Sequence, residues 1–356
     1  MISKSQIVKL GQKLGFEIVK MCSAEPFTDY ERTLKERIKE GLYPKDLIDC
    51  EGALKSVSTY ADPSNSLQNP KTIISMSFCY YTLGSTDLTK SGDPHGVIAR
   101  AYQRDVYGEK YRRKERFAEI LRKKGMKVAK KTLLPQKAAA IRAGVGWQGK
   151  NSLIQTEEYG SWITLESLIT DSDFERDEPS PKNCGSCQAC RHACPASAIQ
   201  APGEVNVNKC IDYLTVKTGP IPRDFRTKMG NRLVSCDRCQ EVCPNNRKVK
   251  PVAKKIPPYD PDYGSSPSLL FLLSTPPKEM EKLSKNWDFI DPKPEYLQRN
   301  IAIALGNLRD PAAIPALRRL LRDGKPIARE HAAWALGVIH DRQAYETLTK
   351  RPQNGP

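Results

Sequence analysis

The sequence predicts three successive parts: an α/β domain, a small cysteine-built domain and a C-terminal α-helical repeat. Three observations predict them. Helical and strand-like hydrophobic patterns alternate over residues 1–175. Eight of the eleven cysteines fall in one 60-residue window. Near the C-terminus a segment recurs at an offset of 31 residues. The expected boundaries are 1–175 for the α/β domain, 176–250 for the cysteine domain, 251–295 for a proline-rich connector and 296–356 for the repeat.

In the first part, helical periodicity runs over 4–14, 30–40 and 108–124, and the apolar runs Ile73–Phe78 and Ile163–Ile169 suit buried strands. This mixture suggests a layered α/β architecture. Met126–Leu134 also reads as a strand, and its alternate residues share one face that is apolar apart from Lys130 and Thr132. A lysine aimed into an apolar layer is costly unless it is paired or sits at the layer's mouth. Lys130 therefore either snorkels at a strand end or lies in an active-site cavity. A helical stretch, Lys137–Arg142, leads into Ala143-Gly144-Val145-Gly146-Trp147-Gln148-Gly149-Lys150. These glycines follow a helix, not a strand, which disfavours a dinucleotide fingerprint. They suit either a turn or a close backbone approach to a flat ligand.

In the second part the spacing is specific. One run is Cys184-x2-Cys187-x2-Cys190-x3-Cys194-Pro195; the other is Cys210, then Cys236-x2-Cys239-x3-Cys243-Pro244. Runs of this kind hold two [4Fe–4S] clusters in bacterial ferredoxins, and the cysteine before each proline reaches across to the other cluster. The expected ligand sets are Cys184, Cys187, Cys190 and Cys243 for one cluster, and Cys210, Cys236, Cys239 and Cys194 for the other. Two clusters this close make an electron wire, which implies a redox centre at its end. A zinc site also uses C-x2-C pairs, but accounts for neither the x2-x2-x3 run nor both Cys-Pro endings. A disulfide framework is less apt in a 356-residue chain with no secretion signal.

In the connector, Ile256-Pro257-Pro258 and Tyr259-Asp260-Pro261 exclude continuous helix or central strand. In the repeat, Arg299-Asn300-Ile301-Ala302-Ile303-Ala304-Leu305-Gly306 is echoed by Glu330-His331-Ala332-Ala333-Trp334-Ala335-Leu336-Gly337. Asp310–Leu317 supplies a helix between the copies, which makes a pair of HEAT-like hairpins. Such hairpins either present a face to a large partner or simply cap the fold.

The net charge is +16. That favours a polyanionic partner, most simply a nucleic acid, over a merely soluble surface or a dock for an acidic electron donor. Residues 109–131 carry eleven Lys/Arg and three acids, and 299–329 carry seven Arg/Lys and two Asp. No stretch of 18 apolar residues marks a membrane span. A cytoplasmic location is expected, where thiols stay reduced.

At Ala143–Ser152 (AGVGWQGKNS), Glu158-Tyr159-Gly160-Ser161, Cys210–Thr215, Asp224–Leu233, Gln298-Arg299-Asn300 and Ala333–Gly337, together with the cysteine runs, the chain resembles the epoxyqueuosine reductases. These are cobalamin- and iron–sulfur-dependent enzymes of tRNA queuosine synthesis, related to reductive dehalogenases, and the resemblance covers almost the whole length. It implies a cobalamin bound between the α/β and cluster domains. The positions matching the family's corrin contacts are Ile154, Thr156, Leu165, Asp212, Leu214 and Thr215. One cluster would pass single electrons to the corrin, while the other faces an external low-potential electron donor. The implied partner is the tRNA anticodon arm, and the chain is expected to act as a monomer, away from membranes.

One departure bears on catalysis. The family carries an aspartate in a Val-Asp-Thr strand motif, as proton donor over the corrin. Counting back from Ala143, Lys130 takes its place within Val128-Ala129-Lys130-Lys131-Thr132. A second motif, Asp-Tyr-His, appears only as Arg104-Asp105-Val106-Tyr107-Gly108. A buried lysine also donates protons, since burial favours its neutral form. Lys130 thus becomes the candidate catalytic residue. It leaves two alternatives to the tRNA reaction: a paralogous corrinoid reductase of a small molecule, or a tRNA-binding or corrinoid electron-transfer protein without substrate chemistry.

Overall fold

The structure, a computed structural model, describes residues 2–44, 57–82, 87–252 and 264–339. The Ile256–Pro261 prolines and residues 340–356 of the repeat lie outside the described residues. The chain divides into two compact units, each assembled from separated segments. One takes in residues 1–83, 105–208 and 238–257, and the other 84–104, 209–237 and 258–356.

The first unit is built on a three-stranded sheet ordered Ile18–Ser23, Thr72–Ser77, Glu166–Thr170, antiparallel throughout. All six residues of the central strand are buried. That explains its apolar run: both faces are covered, so alternation is weak. Replacing Ile73, fully buried here, by Ala would cost about 2–5 kcal/mol. The helix Lys4–Lys13 starts at a capping box, with Gln6 N–H donating to Ser3 Oγ at 3.3 Å and Ser3 N–H to Gln6 Oε1 at 2.9 Å. Its Gly11 lets the backbone approach closely, since a methyl there would come within 2.7 Å of Val19. The long helix Val106–Lys123 begins at Asp105, which accepts from Gly108 N–H at 3.0 Å, and buries Phe117, Ala118 and Leu121.

The segment Met126–Leu134 is not the strand expected. Only Val128 forms a bridge, opposite Thr170. Arg122 explains why: its guanidinium binds the carbonyls of Val128, at 3.3 Å, and Ala129, at 2.9 Å. Those carbonyls are thereby diverted from extending a ladder, and Lys130 and Lys131 are exposed. Lys130 therefore does not point into an apolar layer.

The second unit pairs Val97–Ile98 in parallel with Arg232–Val234 and packs helices around Leu297, Ile301, Leu305, Leu317, Ala332 and Leu336. The 31-residue echo becomes two helices, Pro294–Leu308 and Pro326–Ile339, in close contact. At Gly306 a methyl would lie 2.9 Å from Ala335 Cα, so small residues are needed on both copies. Arg309 ends the first helix in the left-handed region, at φ 56°, and Asp310 caps the next turn by accepting from Ala312 N–H at 2.9 Å. The connector of 251–295 holds two helices, Leu269–Ser274 and Pro277–Asn286. Pro277 occupies a first turn, where a missing N–H leaves no bond unmade, so this proline starts a helix where the sequence suggested a connector.

Candidate functional site

Six of the predicted cluster cysteines belong to the first unit, and four of them, Cys184, Cys187, Cys190 and Cys243, act on one another. Burial raises the Cys190 thiol above its ordinary value, and Cys184, Cys243 and Cys187 push it the same way. Burial likewise raises Cys243, with Cys184 and Cys187 adding to the effect. The short helix Ala189–Ala193 packs on Arg238–Glu241, which brings the end of the second run to the first. Partial burial beside neighbouring thiols thus keeps Cys190 and Cys243 from ionising readily. Iron removes that penalty by balancing their charge, so the donor set fits a cubane.

The second unit holds Cys210 and Cys236. The Cys210 thiol is pushed up to about 12, by burial first and then by Asp212, with a smaller push from Cys236. Cys210 begins the helix Ile211–Val216, and Cys236 follows the strand Arg232–Val234 through Ser235, whose φ is 59°. Cys194 and Cys239 belong to the first unit.

The glycine-rich segment is a turn into a hairpin, Trp147–Gln148 against Ile154–Gln155. Its glycines serve backbone packing. A methyl on Gly144 would overlap the Glu178 carbonyl, and one on Gly146 the Gln155 carbonyl. The approach read as room for a flat ligand is filled at these two glycines by the chain itself. Lys150 then reaches the first cysteine loop, donating to the carbonyls of Gly185 at 2.7 Å and Cys187 at 2.8 Å. The Glu158–Ser161 motif docks on the end of the second cysteine run. Ser161 N–H donates to Asn246 Oδ1 at 2.8 Å, and Asn246 donates back to Ser161 Oγ at 2.9 Å. Gly160, at φ 53°, lies where a side chain would collide with Asn246.

Beside this hairpin the first unit has a cavity of about 710 Å³ that sequence reasoning missed. Tyr30, Tyr43 and Tyr60 line it together with Arg37, Lys137, Arg142, Gln148 and Ser152. The Arg142 guanidinium lies 3.6 Å from the Phe27 ring centre at its wall. The only local signal was the mixing of tyrosines and cations, scattered over distant segments.

Of the proposed corrin contacts, Ile154 and Thr156 are buried and Leu165 half-buried, all in the first unit. In the second unit Asp212 is exposed and accepts from Ser235 Oγ, while Leu214 and Thr215 are buried. The basic stretches also resolve. On the long helix many cations are locally paired, with Lys110 and Lys114 at 3.2 and 3.3 Å from Glu166 and Arg113 at 2.7 Å from Glu109. On the repeat, Arg318, Arg319 and Arg322 are exposed, but Arg299, counted among the seven cations, is fully buried.

Two known families match the chain: the 4Fe-4S double cluster binding domain at residues 183–246 and HEAT repeats at 288–356. They define an iron–sulfur protein with an attached helical repeat. The epoxyqueuosine reductase of Bacillus subtilis is 32% identical over 98% of this chain and 90% of its own length, and that of Staphylococcus aureus is 30% identical over 97% and 91%. A solved epoxyqueuosine reductase bound to an epoxyqueuosine-modified tRNA-Tyr stem loop superposes with a TM-score of 0.88 at 30% identity, covering 98% of this chain and 92% of that one. The B. subtilis enzyme, solved with its catalytic aspartate loop swung out of the active site, superposes with a TM-score of 0.87 at 29% identity, covering 99% and 95%. The chain belongs to the epoxyqueuosine reductase family and is an oxidoreductase.

Proposed function

We infer that this enzyme reduces epoxyqueuosine to queuosine in tRNA, with electrons relayed through two [4Fe–4S] clusters to cobalamin. The observation that carries the reading is the meeting of Cys184, Cys187, Cys190 and Cys243 beside the Lys150 hairpin. Removing the epoxide oxygen as water and leaving an alkene consumes two electrons and two protons. An external low-potential donor supplies the electrons singly, and the clusters pass them on.

For cobalamin, the fit is argued from the hairpin. The Trp147 indole N–H is buried there without an acceptor among the described residues, on the strand paired with Ile154 and Gln155. A buried donor left unmatched calls for a partner. Within the first unit, Ile154, Thr156 and Leu165 would hold the corrin. When bound, cobalamin supplies the strongly reducing centre for removing the oxygen.

The protein's own groups do the rest. The 710 Å³ cavity, lined by tyrosines and cations, would be the recess for a flat modified base and its phosphate. Arg318, Arg319 and Arg322 add charge for the anticodon arm. Counted back from Ala143, Lys130 takes the position of the family's acid and would be the donor of a proton to the departing oxygen, although it is exposed.

The same lysine favours a second reading, a related corrinoid reductase acting on a small molecule, because a cation suits a substrate bearing a carboxylate or a leaving anion. Nucleoside mass spectrometry after incubating anaerobic protein with epoxyqueuosine-containing tRNA separates the two. Queuosine supports the first reading; unchanged epoxyqueuosine with fully loaded cofactors rejects it.

A further inference from the structure

Two buried side chains of the second unit, Arg299 and Asn300, lie on the repeat and are densely hydrogen-bonded. Neither has any accessible surface. Among the described residues Arg299 meets no carboxylate. Its guanidinium donates to the carbonyls of Lys217 at 2.9 Å and Gly219 at 2.6 Å, and to those of Leu214 at 3.3 Å and Thr215 at 3.1 Å. Its Nε donates to Asn300 Oδ1 at 3.0 Å, which orients the amide. A buried cation is costly, and this one is held by four main-chain oxygens in and just beyond the helix that begins at Cys210, together with the Asn300 amide oxygen.

Asn300 extends the grip to a second segment. Its Nδ2 donates to Thr215 O at 2.7 Å and to Leu233 O at 2.9 Å. Thr215 lies on the helix that starts at Cys210, and Leu233 on the strand that leads to Cys236. One amide therefore joins the two pieces of chain that carry these cysteines. A further bond reinforces the joint, as Ser235 N–H donates to Thr215 Oγ1 at 2.8 Å. Ser235 is the residue before Cys236, and its left-handed φ of 59° sets how that cysteine leaves the strand.

We propose that Arg299 and Asn300 are positioning residues for the second cluster, setting the spacing of its ligands Cys210 and Cys236. The repeat is then part of the redox apparatus as well as a surface for RNA. This rests on the reading that these two cysteines hold the second cluster. Cluster potentials respond to ligand geometry and nearby charge, so loosening the joint should show in the electronic properties of that cluster alone.

The same helix supplies a control. Asn307 also donates to two carbonyls, Arg226 O and Gly230 O, both at 2.8 Å, without touching the cysteine-bearing segments around 210 and 236. The test compares Asn300→Ala, Asn307→Ala and unaltered full-length protein, prepared anaerobically with both clusters. Electron paramagnetic resonance with redox titration is the readout, and the signal missing from Cys210→Ala marks the second cluster. Asn300→Ala should alter the line shape of that signal and change its reduced-to-oxidised ratio at fixed potential by about tenfold, leaving the first cluster unchanged. Asn307→Ala should lower the melting temperature comparably and leave both signals as they were. Arg299→Lys keeps the charge but loses the planar fork, so it should shift the same signal in soluble protein even where Asn300→Ala does not fold. Signals identical to the unaltered protein in both Asn300→Ala and Arg299→Lys would overturn the proposal. So would an equal shift in Asn307→Ala. A single cluster signal in the unaltered protein would instead overturn the two-cluster reading beneath it.

Discussion

The Lys150 ammonium donates to the main-chain carbonyl of Cys187 at 2.8 Å, and so joins the glycine-rich hairpin to the first cysteine loop. Cys187 is exposed, while the other described cysteines of both runs are only partly so. A fixed cation beside a cluster favours its reduced, more negative state. Lys150→Met should therefore make the first cluster harder to reduce. A tenfold change in its reduced fraction corresponds to about 59 mV for one electron. Redox titration checks this; an unchanged or more positive potential contradicts it.

Cysteine exchange between the runs gives a separate outcome. Anaerobic protein should hold about eight irons, and Cys194→Ala about four. The cluster lost should be that of Cys210, Cys236 and Cys239, while the one nearest Cys194 in sequence stays. Iron analysis with Mössbauer spectroscopy decides it, and zinc in place of iron would reject the assignment.

If the repeat's exposed cations meet phosphates, RNA binding should depend on salt. Reversing Arg318, Arg319 and Arg322 together should weaken tRNA binding and lower the log–log salt slope by roughly one unit per lost phosphate contact. The visible spectrum of the clusters should stay unchanged. Filter binding over a range of salt tests this, and a mutant that binds as the parent does would remove the repeat from the RNA interface.

At Lys130 the two functional readings part. Lys130→Asp restores the family's acid and should raise epoxyqueuosine reduction if the chain has drifted to another substrate. Lys130→Ala should lower turnover of the true substrate by roughly 100-fold if the lysine delivers the proton. Both variants should keep their clusters. Single-turnover assays on modified tRNA read the difference, and equal rates in all three proteins would deny Lys130 any role in proton transfer.

His331 makes the second unit sensitive to acid. It is fully buried, its Nε2 accepting from Ile221 N–H at 3.2 Å and its Nδ1 donating to Ile327 O at 2.8 Å. Burial is the main cause that brings its pKa down from 6.5 to about 4, with Arg226 also lowering it and the Ile327 bond opposing. The unfolded chain then binds a proton that the folded chain does not, so stability is full above pH 6.5 and is lost as pH falls towards 4. The loss approaches about 3 kcal/mol. Thermal unfolding from pH 7.5 to 4.5 should show the fall, and His331→Gln should flatten it.

Much of the local structure was legible from sequence because it depends on near neighbours. The helices expected at 4–14, 30–40 and 108–124 form at Lys4–Lys13, Thr28–Lys39 and Val106–Lys123, since apolar spacing and caps act within a few residues. The 31-residue echo marks two helices packed through Gly306 and Ala335, because close approach needs a small residue on each copy. The cysteine spacing carries its chemistry locally too, as a cubane's corners are reached by loops two or three residues long.

Tertiary structure decided what depends on distant partners. Strand alternation put Lys130 on an apolar face, either snorkelling at a strand end or in a cavity, but Arg122 holds the Val128 and Ala129 carbonyls, no such strand forms and the lysine is exposed. Arg299 counted as one more surface cation until four carbonyls 80 to 85 positions away enclosed it. The 710 Å³ cavity draws Tyr30, Tyr60, Lys137 and Gln148 from separate stretches with no shared motif. A short-range pattern reports which face a residue has to bury. Only the packed chain determines which distant groups meet there, because the energy that settles a buried charge or a shared carbonyl comes from atoms far away in sequence.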